Sequence, residues 1–116
     1  MKRLRNHLIG VDQGDVILFS DFETDGPMWS GTGPRVVRQA VAFSDAYKTP
    51  PNVQVALTMW DMDSESNPRM DVSAEQISET GCVLVFRTWG DTRVARVRAS
   101  WLAIGELRHG DEWDLY

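Results

Sequence analysis

The sequence predicts an all-β chain, a six-stranded antiparallel β-sandwich, and three observations carry that expectation. Apolar and polar residues alternate along several runs, which is the period of a half-buried strand. The runs recur at sandwich spacing and are joined by turn-type segments. No stretch has the amphipathic period of a crossover helix, which a parallel βαβ arrangement requires.

Val16-Ile17-Leu18-Phe19-Ser20 is the first strand, short, apolar and β-branched. The segment Thr24 to Pro34 carries three Gly and two Pro, so neither helix nor central strand is expected there. The next strand, Val36 to Ser44, places Val37, Gln39, Val41 and Phe43 on one face. Lys48-Thr49-Pro50-Pro51 forces an extended corner. Val53, Val55, Leu57 and Met59 then alternate with Gln54, Ala56, Thr58 and Trp60. After a polar loop from Asp61 to Pro68 comes a weaker strand, Arg69 to Ile77. Ser78-Glu79-Thr80-Gly81 turns into a strand from Cys82 to Arg87, and the last strand starts near Thr92. The last two strands flank Trp89-Gly90-Asp91-Thr92, which reads as a tight hairpin with Trp89 exposed at its corner. The expected organisation is an N-terminal arm over 1–13, one sandwich over 14–105 and an acidic tail over 106–116.

The chain has 116 residues, 42% of them hydrophobic, which suits one domain with one core. A net charge of −5 argues against a nucleic-acid backbone binder. A single cysteine, Cys82, rules out an intrachain disulfide, and no metal-ligand set is present, so neither metal nor cofactor is expected. No stretch approaches a membrane span, and the basic N-terminus lacks the apolar run of a signal peptide. Cytosolic synthesis is the simplest expectation, with release or a place on a particle left open. No phosphate loop, nucleophile elbow or His-Glu motif occurs, so the expected function is not enzymatic.

Phe43 through Pro50-Pro51, Val53 to Leu57, Asp61, Arg69, Thr80-Gly81, Thr88-Trp89 and Ser100-Trp101 together resemble the H-type lectin domain, the family of the snail agglutinin and the carboxy-terminal domain of the discoidins. The resemblance covers residues 14 to 105. It implies a six-stranded sandwich assembled as a homotrimer, with galactose or N-acetylgalactosamine bound in clefts between subunits. It further implies that Arg69 and Trp89 contact the sugar, along with polar residues of the Gly/Pro-rich loop. The chain departs from the family at three places. Gly90 stands where a polar residue such as His is usual, and Ala95 stands where an aromatic falls. The loop's Gly-x-Asp element has only Ser30-Gly31-Thr32 or Asp25-Gly26 as counterparts.

The candidate carbohydrate-binding residues are therefore Trp89, Arg69, Gly90, Asp91, Asp25, Trp29, Ser30 and Thr32. An aromatic ring packs against the C–H face of a galactose-type sugar while polar groups fix its hydroxyls. Each residue also has a plainer role. Trp89 packs over its own turn or into a subunit interface; Arg69 pairs with Asp61, Asp63 or Glu65; Met28-Trp29 plugs the sandwich end. Asp91 and Thr92 bond the nearby backbone. Trp101 and Cys82 share phase with core residues and are expected inside. Arg96 and Arg98 lie on one strand face, either solvated or paired with acids such as Asp71 or Glu75 along a trimer contact. The expected partners are a glycan or polysaccharide and two further copies of the chain. The alternative is a structural or adhesion trimer, on a phage-like particle or a surface appendage, with a degenerate sugar site.

Overall fold

The computed structural model describes residues 1–5 and 7–108. Six strands are present among them: β1 (Ile9–Ser20), β2 (Arg35–Ala42), β3 (Asn52–Met62), β4 (Asp71–Glu75), β5 (Gly81–Thr88) and β6 (Val94–Glu106). They form two three-stranded sheets, ordered β1-β6-β3 and β2-β5-β4, with every pairing antiparallel. The expected strand count and all-β class are thus observed. The first strand begins seven residues earlier than Val16, because Ile9 to Gly14 pair in register with Glu106 to Trp101. Residues 9–13 of the expected arm are therefore strand, and Glu106, the expected first residue of the tail, ends β6. Leu107 bridges to Tyr47, and residues 109–116 of the tail lie outside the described residues. The fourth strand is shorter than Arg69 to Ile77, and Arg69 precedes it in the loop.

Two expectations about the chain's turns are overturned. The Gly/Pro-rich loop holds one helical turn, α1 (Pro27–Ser30). Pro27 occupies the start of that turn, where its missing N–H is not needed. The Asp21 carboxylate accepts the Met28 N–H at 3.0 Å. The segment from Trp89 to Arg93 is not a hairpin either, since β5 and β6 belong to different sheets and the segment arches between them. Both strands are central, each paired on two sides. The arch lets Leu84 and Phe86 of β5 and Val97 and Ala99 of β6, all fully buried, share one core.

That core also takes Phe19, in contact with Phe86 at a centroid distance of 5.2 Å, and Met28, which plugs the end of the sandwich as expected. At the opposite end Phe43 packs edge-on against Tyr47 and tilted against Trp101. Trp101 joins this core from a half-buried position, its indole lying against Gly14 where a Cβ would fall within 2.8 Å of Nε1. Cys82 is buried, and burial pushes its thiol pKa up.

The charged faces sort by sheet. Arg87 pairs with Glu75 at 2.8 Å and Asp71 at 3.8 Å on the outer face of β2-β5-β4. Those acids are consequently far from Arg96 and Arg98, which lie on the other sheet: Arg96 pairs with Asp61 at 3.4 Å and Arg98 donates to the Thr58 hydroxyl at 3.2 Å. Asp61 is opposite Arg96 in register, so it is committed across the sheet rather than to Arg69.

Candidate functional site

The β5–β6 arch, the loop from Asp21 to Pro34 and the end of the β3–β4 loop converge at one end of the sandwich. Gly90 turns the arch with φ +69°, a left-handed conformation that glycine adopts without cost. Trp89, immediately before it, is 45% exposed. With Pro34, Val36, Arg38 and Arg87 it lines a cleft of about 300 Å³ at the end of the β2-β5-β4 sheet.

Arg69 reaches the arch from below. Its guanidinium pairs with Asp91 and donates to the Thr92 hydroxyl at 3.3 Å, while its carbonyl accepts the buried Thr88 hydroxyl at 2.5 Å. Thr92, fully buried, donates in turn to the Asn67 carbonyl. Asp91 and Thr92 therefore both bond across the loop cluster. The hydrogen bond from Arg69 holds the Asp91 carboxyl below its usual pKa. A Cβ at position 90 would lie 2.9 Å from Arg69 Nη1. The guanidinium thus fills the space that a polar side chain at this position would need, which is a physical reason for Gly90.

Arg35 was not singled out by any sequence signal, yet it fixes the loop to the arch. Its Nε donates to the Gly33 carbonyl at 2.9 Å and its Nη1 to the Met28 carbonyl at 3.2 Å and the Pro27 carbonyl at 3.3 Å. Its Nη2 donates to the Gly90 carbonyl at 3.2 Å, and the Gly33 N–H donates to the same carbonyl at 2.9 Å. Partial burial pulls the Arg35 pKa below its ordinary value.

The eight candidate residues divide into three groups. Arg69, Gly90 and Asp91 form one cluster, with Trp89 beside it. Asp25, at φ 56°, and Ser30 sit together in the loop, where the Ser30 hydroxyl donates to the Asp25 carbonyl at 2.8 Å; Thr32 is exposed one residue before the Gly33 tie. Trp29 points elsewhere. It packs edge-on against Phe22 with centroids 4.9 Å apart, and the Arg93 guanidinium lies 4.2 Å over its ring. It lines a different cleft, together with Phe22, Asp61, Ala95 and Arg96. Ala95 is buried.

The family model described as the H-type lectin domain matches residues 38–104, more than half of the chain. This chain is an H-type lectin domain. A lectin domain is a carbohydrate-binding module. This one is 53% identical over 107 residues to a protein of Fuscovulum blasticum described as "ATP synthase subunits region ORF 7", an alignment spanning 92% of this chain and 93% of that one. Its fold matches recombinant discoidin II of Dictyostelium discoideum with a TM-score of 0.75 at 24% identity over 94% of this chain. Wild-type discoidin II gives a TM-score of 0.76 at 24% identity over 91%. The lectin domain spans about 40% of the discoidin II chain.

Proposed function

We propose that this lectin domain binds galactose- or N-acetylgalactosamine-type glycans through Trp89, without catalysis, as a homotrimer whose clefts lie between subunits. The observation that carries the proposal is the exposed indole of Trp89 on a backbone arch tied at two points. The arch that bears it is tied by Arg35 to the loop and by Arg69 to Asp91, so the backbone that carries the ring is held in place before any ligand arrives. Preorganised aromatic platforms lose little entropy on binding. Asp91, beside that platform, offers carboxylate oxygens to sugar hydroxyls, and Thr32, Ser30 and Asp25 supply the loop's polar wall.

Trimer assembly is supported by the outer face of the β1-β6-β3 sheet. Val11 and Ile17, opposite Ile104 and Arg98 in register, are each more than half exposed there. Exposed apolar faces of this kind are characteristic of interaction surfaces. Single sites of this type are weak, and three on one particle gain by avidity against a polysaccharide or glycan-coated surface.

The structural-trimer alternative is favoured by one observation: Arg69 already bonds Asp91 and Thr92, so it offers fewer free donors to a sugar. Glycan-array screening and calorimetry on the full chain decide between the two. Binding to a galactoside or N-acetylhexosaminide that is lost in Trp89→Ala is the expected result. A folded trimer that binds none of them overturns the proposal and leaves the structural reading.

A further inference from the structure

We infer that the Trp89 cleft takes an anionic glycan, one whose pyranose ring packs on the indole while a carboxylate or sulfate substituent meets Arg38. This rests on the carbohydrate-binding reading of Trp89 and goes beyond it in naming the charge of the ligand. The cleft, about 300 Å³, is at the lower end of the size range of small-molecule sites (about 300–1,000 Å³), which suits one sugar unit with its substituent. The chain carries a net charge of −5, yet among the described residues this cleft is lined by Arg35, Arg38 and Arg87 and by no carboxylate.

Strand register gathers the arginines. β2 and β5 pair so that Val36 lies opposite Arg87 and Arg38 opposite Val85. Arg38 and Arg87 are therefore diagonal neighbours on the outer face, close enough for long side chains to meet, and like charges so placed repel unless they are answered. Arg87 is answered by Glu75 and Asp71, which pair with it from β4, on the far side of β5 from β2. Arg35 spends its donors on the carbonyls of Pro27, Met28, Gly33 and Gly90, which do not neutralise its charge. Arg38 is exposed, and among the described residues it makes no hydrogen bond or ion pair; its charge reaches Glu75 through space. Two of the three cations thus face the cleft without an ion-pair partner, and Arg38 keeps its whole fork for a ligand.

The apolar half of the cleft completes the fit. Trp89 and Val36 are both partly open to solvent there, at 45% and 42% exposure. The C–H face of a pyranose packs on such a surface. Trp89 caps one end of the lining and Arg38 the other, since Trp89 follows Thr88, the partner of Arg35, and Arg38 lies three residues farther along β2. Ring and charge are thus read at separate points, and a substituent on the sugar rim is what reaches the guanidinium. An arginine presents its donors as a planar fork, which matches the paired oxygens of a carboxylate or a sulfate ester.

The test is an NMR titration of the isotopically labelled full chain, read at the Trp89 indole N–H and the Arg38 amide. The ligands are methyl galactoside, methyl galacturonide (the same ring with a carboxylate in place of the hydroxymethyl group) and methyl galactoside sulfated at that group. Titration to about 50 mM exceeds a millimolar Kd, the scale of a single weak site. In dilute buffer at least one anionic glycoside is expected to bind about threefold or more tighter than the neutral one, the range of one exposed charge contact. The preference shrinks in about 500 mM salt, where the screening length is roughly 4 Å. A preference for either anion supports the inference, and the tighter of the two separates a uronate from a sulfated glycan. Arg38→Gln breaks no bond of the folded chain and is expected to bring the ratio to about one. Arg98→Gln, on the other sheet, removes the same charge and is expected to keep the ratio. Equal binding of neutral and anionic glycosides overturns the inference and leaves the carbohydrate-binding reading standing. Equal loss of preference in the two variants also overturns it, since net charge and not the cleft then attracts the anion. Acetate that shifts Trp89 as strongly as the galacturonide overturns it too, because no ring is then read. Binding of none of the glycosides overturns the carbohydrate-binding reading and the inference with it.

Discussion

Replacing Arg35 by methionine keeps most of the side chain's length and removes its guanidinium. Four carbonyls then lose a donor: those of Pro27, Met28, Gly33 and Gly90. Two are spared in part, because Pro27 also accepts from the Gly31 N–H at 2.8 Å and Gly90 from the Gly33 N–H at 2.9 Å. The bonds to Met28 and Gly33 lie in partly buried surroundings, where water replaces the donor less well. At about 1–1.5 kcal/mol for each partly buried carbonyl left unpaired, the loss is about 2–3 kcal/mol. For a chain of this length that corresponds to a fall in Tm of roughly 8–12 °C. The assay is thermal unfolding followed by far-ultraviolet circular dichroism at one fixed protein concentration, since assembly makes Tm concentration-dependent. Arg35→Lys is the decisive companion. It keeps the charge but presents its donors at a single point, so it cannot span carbonyls on both the loop and the arch. It is expected to lose most of the same stability. If Arg35→Lys melts with the wild type, or Arg35→Met falls by less than about 3 °C, the fork does not hold the loop and the argument fails.

Three further outcomes follow from the same geometry. Gly90→Ala forces a Cβ into the left-handed region at a cost of about 1–2 kcal/mol and crowds Arg69, and Gly90→Asn, which tolerates that region better, isolates the crowding; urea unfolding reads both, and unchanged midpoints contradict the role given to Gly90. Glu75, hydrogen-bonded by Arg87 and Ser73, has its pKa lowered from 4.5 to about 2, so the native state binds its proton more weakly than the unfolded chain does. Its contribution is present above pH 4.5 and is lost as pH falls toward 2, and Glu75→Gln is expected to flatten the acid limb of the stability curve within that window. The Cys82 thiol, buried and with a raised pKa, is expected to resist iodoacetamide in the folded chain and to react on unfolding; rapid labelling of the native protein refutes its placement.

Much of the fold is legible in the sequence because strand patterning is local. Val53 to Trp60 alternates cleanly, and the structure buries one set of side chains more than the other along β3. Cys82, Leu84 and Phe86 fall inside on the same principle. What pattern alone misses is pairing. The runs around Trp89-Gly90-Asp91-Thr92 look like a hairpin because period-2 patterning is the same whether two strands are neighbours in one sheet or face each other across a core. Only the partners β2, β4, β1 and β3 decide that β5 and β6 belong to separate sheets.

The site divides in the same way. Its residue types are visible locally: an aromatic beside a glycine, an arginine at family spacing, a loop rich in Gly and Pro. Its wiring is not, because an arginine's reach is several residues wide and its partners come from distant segments. Asp91, 22 residues from Arg69, takes the pairing that the plainer alternative gave to Asp61, Asp63 or Glu65. Arg35 bonds a carbonyl 55 residues away. The sequence by itself determines an all-β sandwich with an exposed tryptophan at one corner, since strand period, turn chemistry and composition are properties of short segments, and its resemblance to the H-type lectins adds the family. The tertiary structure alone decides that the corner is an arch between sheets, that Arg35 and Arg69 hold it, and that Trp29 and Trp89 line different clefts of the chain. Those outcomes depend on which distant carbonyls, carboxylates and rings the folded chain brings within a few ångströms of one another.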